Sequence, residues 1–345
     1  MSMTANSQRG VALLTILLLV VSITVVAGAM LASQKIAIRR SGLLFEQNQL
    51  LQDIHAGQQL AVTLIRADDT LNETDSEQDI WAQPIPPYTL DGHSISIEVR
   101  DEASRFNINN LYHDGAVDNT ALAVFQRLLV QLNLAPEIAI AVLDYQDSDS
   151  TVYQDGGDEG VVYEQQSRGA ASTLPNQPFV SVEQLQDIEK VSAEDLAALR
   201  PYITAVPYYL PININTASPV LLAALTETAD RQQMQALVDM RGQQALAAID
   251  ALWQLPALGT VSADERRALT PLLATESQAF MALITAAADT GAAKQRFATI
   301  LISKTPANAA NSSGGNNESV ASETDKTAKH IQVVAQRLWA FRPSF

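Results

Sequence analysis

The strongest hydrophobic pattern comes first in the chain. Residues 11 to 32, VALLTILLLVVSITVVAGAMLA, carry no charge and only three hydroxyl side chains, Thr15, Ser22 and Thr24. Twenty-two residues at about 1.5 Å each make about 33 Å of helix, enough to cross a bilayer core. A buried helix of a soluble domain would keep a polar stripe, so the run predicts a membrane-spanning helix. From 33 to 66, Leu43, Leu50, Ile54, Leu60, Ala61 and Leu64 recur near the helical period among Gln, Asn, Arg and Glu. The two stretches predict one long helix, half in a bilayer and half packed on a folded domain. Gly42 and Gly57 weaken it locally.

The acidic stretch 68 to 87 ends in PIPPY and predicts a loop. SISIEVR, 94 to 100, alternates apolar and polar and predicts a half-buried strand. Helices follow over 118 to 143, with Leu122, Phe125, Leu128, Leu129 and Leu132 on one face and Pro136 placed to open a second helix. From 179 to 206 the pattern is helical again, with capping boxes at Ser181/Gln184 and Ser192/Asp195. Residues 211 to 225 and 241 to 255 supply a further apolar set: Leu221, Leu222, Leu225, Leu237, Leu252, Trp253 and Leu255. After Pro271 the pattern changes. Residues 277 to 288 fit strand or helix equally, while 296 to 304 and 330 to 341 predict strands. Between them, PANAANSSGGNNESVASETDKT is a low-complexity linker.

A length of 345 residues allows two folded units after the helix, and 47% hydrophobic with 17% charged residues suits a globular protein. The net charge of −16 argues against binding nucleic acid through its phosphates. With no Cys, disulfides and thiolate metal sites are excluded. Arg9 precedes the apolar run and Lys35, Arg39 and Arg40 follow it, so the positive-inside rule favours a cytoplasmic body. The four His, at 55, 93, 113 and 330, show no ligand spacing, and no G-x-S-x-G, P-loop or Cys nucleophile appears. The chain reads as a non-enzyme.

Oxygen ligands crowd into DYQDSDSTVYQDGGDEGVVY, 144 to 163: Asp144, Asp147, Asp149, Asp155, Asp158 and Glu159, with Gly156, Gly157 and Gly160 for tight turns. A hard cation such as Ca²⁺ takes six to eight oxygens. The loop lacks the glycine and glutamate offsets of an EF-hand, and composition alone favours a solvated acidic loop. PININTASPVLLAAL, 211 to 225, resembles the entry to helix-hairpin-helix modules, which bind DNA without sequence preference. The matching turn, RGQQALAAIDALWQL, has Gly242 but no second glycine, and few basic residues lie nearby.

Several motifs converge on one family. The leader MSMTANSQRG before VALLTILLL resembles the class III signal of type IV pilins and type II secretion pseudopilins. Thr15 stands where most of that family carries glutamate, a departure found in the K-type minor pseudopilins. DEASRFNINNL, 101 to 111, resembles their D-x-x-x-R-F-N-x-N-N-L stretch. For Asn107, Asn109 and Asn110 turn chemistry is the preferred role, and Arg105 could pair with Asp101 or Glu102. The loop resembles the family's D-W-x-D-x-D … G-A-E-x-x-Y pattern, with Tyr145 for the Trp and Asp158 for the Ala.

The resemblance implies an α+β fold: a long N-terminal membrane-spanning helix, a pilin-like αβ domain with a small antiparallel sheet, and a large inserted all-α domain of SAM/helix-hairpin-helix type. It divides the chain into a leader (1–10), membrane helix (11–32), periplasmic helix (33–66), first αβ part (67–111), inserted helical domain (112–272) and terminal strands (273–345) with a linker at 306–327. It implies cleavage by a prepilin peptidase between Gly10 and Val11, with methylation, and structural Ca²⁺ on Asp147, Asp149 and Glu159, then Asp144 and Asp155. The implied place is the inner membrane, single pass, with the bulk of the chain in the periplasm. The implied partners are the I and J minor pseudopilins, the major pseudopilin and the inner-membrane platform, and no nucleic acid. The implied role is to form the pseudopilus tip and initiate assembly for export of folded proteins across the outer membrane. The competing classes are a membrane-anchored nucleic-acid receptor using the ININTAS region and a metal-dependent periplasmic hydrolase using Asp147.

Overall fold

A computed structural model describes residues 5–90, 92–148, 152–153, 176–256, 258–288, 295–306 and 329–345. One helix, α1 (Ala5–Leu71), runs unbroken through the apolar run and continues past residue 66. At its far end Asp68 is buried and accepts from Asn72 Nδ2 at 2.8 Å, so the final turn is anchored and the loop begins only after Leu71.

Five strands form an antiparallel sheet in chain order: β1 (Tyr88–Leu90), β2 (His93–Asp101), β3 (Ala279–Ala288), β4 (Gln295–Pro306) and β5 (Lys329–Trp339). The register sets Ile97 opposite Ile284 and Ile284 opposite Ala298. Ile95, Ile97, Phe280, Ala282, Ile284, Ala298, Ile300 and Ile302 therefore make one apolar face. The second half of α1 packs there through Leu50, Ile54, Ala61, Val62 and Ile65. Gly57 lies at the closest approach: a Cβ on it would come within 2.6 Å of Ile284 Cγ2. The glycine costs helix propensity but lets α1 lie down on the sheet.

The segment that fits strand or helix equally is the central strand β3. It is buried on both faces, by α1 on one side and by Val206, Tyr208 and Leu210 on the other. A strand covered twice loses the apolar/polar alternation by which strands are recognised.

All of 102–278 lies between two adjacent strands, β2 and β3, and its described elements are mostly short helices joined by two-residue strands. Its own core joins α2 (Asn119–Gln131) and α3 (Ile138–Gln146) to the helix Pro219–Ala223, with Phe106 stacked on Phe125 at 5.1 Å. Residues 179–206 are less helical than the pattern suggests. They form a 3-10 turn Val182–Asp187, a helix Ala193–Leu199, and a two-residue strand Ile203–Thr204 parallel to Phe106–Asn107. Both capping boxes are present. The linker residues 307–327 lie outside the described residues, and Pro306 ends β4.

Candidate functional site

Three features bear on function: the free part of α1, the polar junction between sheet and helical insertion, and the start of the acidic loop.

Every described side chain from Val11 to Phe45 is exposed, so the first half of α1 stands clear of the folded body. Water is a poor solvent for Leu13, Leu14, Leu17, Leu18 and Val25, each more than 60% exposed. The three hydroxyls in the run are satisfied within the helix. Thr15 donates to Ala12 O at 2.9 Å, Ser22 to Leu18 O at 2.8 Å and Thr24 to Val20 O at 2.8 Å. A helix with no unmet polar group and no charge is what hydrocarbon accepts. Gly10 lies within α1, and Val11 is 63% exposed.

The junction is built from asparagines. Asn107, Asn109 and Asn110 are buried. Asn107 Oδ1 accepts from Val206 N at 3.0 Å, and its amide donates to Val206 O and Tyr208 O at 3.1 and 2.8 Å. Asn109 donates to Phe179 O at 2.9 Å and accepts from Phe179 N at 2.8 Å. Asn110 does the same with Leu210, at 2.7 and 2.9 Å. Each amide imitates a strand neighbour for backbone some 70 to 100 residues away. Turn chemistry covers only part of this: Asn107 also caps the 3-10 turn Ile108–Leu111. Glu102, buried beside the motif, is paired with Arg100 at 2.7 Å and takes a hydrogen bond from Thr204. Burial lowers Arg105 to about 10.

ININTAS supplies a second buried set. Asn213 donates to Asp75 O and to Ser277 Oγ, at 2.9 and 2.7 Å. Asp101 accepts from the hydroxyls of Thr216 and Ser277, both at 2.5 Å, and burial pushes its carboxyl up to about 7 despite them. Asn215 pairs with the backbone of Leu246 in the turn after Arg241. Arg241 is itself buried, donating to Ile214 O and Ala217 O at 2.5 and 2.6 Å. The cation best placed for a hairpin phosphate site is spent on the scaffold.

The acidic loop leaves α3 from inside the core. Asp144 and Asp147 are buried at 0% and 3% exposure, and Tyr145 between them stacks on Phe179 at 4.7 Å. Asp144 Oδ1 accepts from Tyr153 N at 3.1 Å. Two of the five candidate ligands thus come from one helix end, rooted in the core. Asp149, Asp155 and Glu159 lie outside the described residues. Buried carboxylate oxygens are the donors a hard divalent cation takes.

One cluster carries no sequence signal. Carboxylate oxygens of Asp68, Asp75 and Asp79 converge within 4.8 Å. Burial pushes Asp68 up to about 6, with Asp79 adding to the shift, and burial also raises Asp75. Lys304, 229 residues away from Asp75, supplies the opposite charge at 2.6 Å and lies 3.3 Å from Asp69. Lys329 bridges Asp69 and Glu276 at 2.9 and 2.6 Å.

Known proteins resemble this chain in sequence and fold. Two family models described as type II secretion system protein K match residues 104–208 and 212–275. The type II secretion system protein K of Pseudomonas aeruginosa is 32% identical over 256 residues, covering 71% of this chain and 76% of its own. That of Klebsiella pneumoniae is 29% identical over 296 residues, covering 80% and 87%. A chain in the crystal structure of the GspK-GspI-GspJ complex from enterotoxigenic Escherichia coli superposes with a TM-score of 0.69. It shares 19% identity, and the match covers 88% of this chain and all of that one, which speaks for the fold.

Proposed function

The chain belongs to the type II secretion system protein K family, and from that membership we propose that it is the minor pseudopilin at the tip of a pseudopilus. Residues 11–32 anchor it in the inner membrane and the body lies in the periplasm. A prepilin peptidase cuts between Gly10 and Val11 and the new terminus is methylated. The protein joins I- and J-type minor pseudopilins, the assembly seen for the chains of the related crystal structure. It thereby initiates a filament of major pseudopilin on the inner-membrane platform, for export of folded proteins across the outer membrane. The role is mechanical, with no catalytic step.

The observation that carries this reading is the exposed, uncharged stretch of α1 standing clear of a body packed on the same helix. Apolar helices of this kind associate laterally in a membrane through packing. The bulk supports tip placement: an insertion the size of 102–278 leaves no room for a subunit on every side. Calcium belongs to the same reading. Asp144 and Asp147, with Asp149, Asp155 and Glu159, offer the oxygen set, and a bound cation would fix the loop against α3. The test is co-expression of the full chain with the I- and J-type minor pseudopilins of the same cell. A ternary complex surviving size-exclusion chromatography in detergent is expected; a full chain eluting alone sinks the tip assignment.

A further inference from the structure

Lys35, Arg39 and Arg40 follow the apolar run on the exposed part of α1, and none takes part in an ion pair among the described residues. No Asp or Glu precedes Glu46. The first 45 residues hold four basic side chains and no acidic one, whereas the remaining 300 hold 18 basic and 38 acidic, a net −20. The sign of the charge therefore reverses along α1, just beyond the apolar run.

Position says what these cations meet. Lys35 lies about 5 Å beyond Ala32 along the axis and Arg40 about 12 Å. The headgroup layer extends roughly 5 to 8 Å outside the hydrocarbon, and long basic side chains reach back several ångströms. All three ammonium and guanidinium groups thus reach the level of lipid phosphates. At about 100° per residue they spread over about 140° of the helix surface. A neighbouring helix with an acidic stripe would cover a narrower sector, whereas lipids surround the helix. Ile36 and Ile38, 54% and 72% exposed, interleave with the cations, and a bilayer interface accommodates both kinds of side chain.

We infer that Lys35, Arg39 and Arg40 form a collar that binds the phosphates of anionic phospholipids at the body-proximal end of the membrane helix. This inference rests on the membrane-anchor reading above. The collar fixes how deep α1 sits and holds the acidic body off a like-charged surface, where repulsion would otherwise push on the anchor within a Debye length. It also gives the three cations a role on the side of the membrane that the positive-inside rule disfavours.

The test uses the full chain in nanodiscs of equimolar phosphatidylcholine and phosphatidylglycerol, with retained lipids counted by native mass spectrometry. Phosphatidylglycerol should be enriched several-fold over phosphatidylcholine among lipids held by the wild type. The triple variant K35Q/R39Q/R40Q should return to the bulk ratio, with circular dichroism unchanged. A bulk ratio in the wild type, or enrichment that persists in the triple variant, overturns the collar. If the cations instead serve an acidic partner helix, the lipid counts of wild type and variant will agree while capture of that partner is lost, which also overturns it. Failure of both proteins to enter the discs removes the anchor reading itself and is told apart at the incorporation step.

Discussion

The side chain of Asn109 is paired with the backbone of Phe179 in both directions, donating to its carbonyl at 2.9 Å and accepting from its amide at 2.8 Å. Both residues are buried, so water replaces neither bond. Asn109→Ala leaves a donor and an acceptor unmet in the interior, at about 1–3 kcal/mol each before relaxation. The expected loss is about 2–4 kcal/mol, read from urea unfolding of the full chain in detergent. Asn109→Asp should be nearly as costly, since it keeps the acceptor and loses the donor. A loss under about 0.5 kcal/mol would mean the pairing does not hold the junction together.

Lys304 and Asp75 form an ion pair at 2.6 Å with both side chains almost fully enclosed. Removing one partner of a buried pair strands the other charge, at about 3–5 kcal/mol. Lys304→Met should therefore destabilise strongly. The double variant Lys304→Met/Asp75→Asn should recover much of the loss, because the amide can still accept from Ser277 N. Denaturation of the two single variants and the double gives the coupling. Additive effects would show that the pair does not act as a unit.

Asp68 sets a pH dependence of defined sign. Its carboxyl is raised from an ordinary 3.8 to about 6, so the folded chain holds this proton more tightly than the unfolded one. Stability from this group is fully present below about pH 4 and is lost as pH rises through about 6. Asp68→Asn removes the dependence. The variant should match the wild type near pH 4 and be more stable by about 2–3 kcal/mol at pH 7.5, since each tenfold gain in proton affinity on folding is worth about 1.4 kcal/mol. The quantity to measure is the difference between the two stability curves, which cancels the titration of other groups. A flat difference across pH 4 to 7.5 would refute the assignment.

Gly57 faces Ile284 where α1 crosses the sheet. On an open helix surface Gly→Ala would stabilise by about 1 kcal/mol through propensity. At 2.6 Å from a packed Ile Cγ2, the added methyl must displace β3 or α1, at about 1–3 kcal/mol. The clash wins, so Gly57→Ala should lower the melting temperature, and Gly57→Ala/Ile284→Leu, which removes the Cγ2 branch, should restore part of it. Gly42, where a Cβ would meet nothing within 4 Å, is the control, and Gly42→Ala should not destabilise.

What the sequence carried depended on whether the signal was local. The apolar run of α1, the alternation that became β2 and the Ser-initiated caps are local, and all are legible. β3 was ambiguous because burial on two faces erases its period. Asn107, Asn109 and Asn110 looked like turn residues because their partners lie near residues 179 and 206 to 210. The meeting of Asp68, Asp75 and Asp79 with Lys304 was invisible for the same reason. Arg241 opens the turn RGQQALAAIDALWQL, and only the fold shows it turned inward on Ile214 and Ala217. In the acidic loop, the carboxylates stand out by composition, whereas the burial of Asp144 and Asp147 at the end of α3 is a product of tertiary packing.

Calcium should raise the melting temperature of the full chain, because a ligand bound only by the folded state adds stability by mass action. At a concentration of about 100 times the dissociation constant the gain is about 2.7 kcal/mol. The comparison is a thermal melt in 1 mM CaCl₂ against one in EGTA, with MgCl₂ as control, since magnesium demands a tighter octahedral shell. Asp147→Asn should abolish the calcium-dependent shift, and Asp144→Asn should reduce it. Asp68→Asn should leave it intact, because Lys304 already answers the charge of that cluster. A shift lost in Asp68→Asn and kept in Asp147→Asn would move the cation to the carboxylates at the end of α1. No shift in the wild type would leave the loop as a solvated acidic segment.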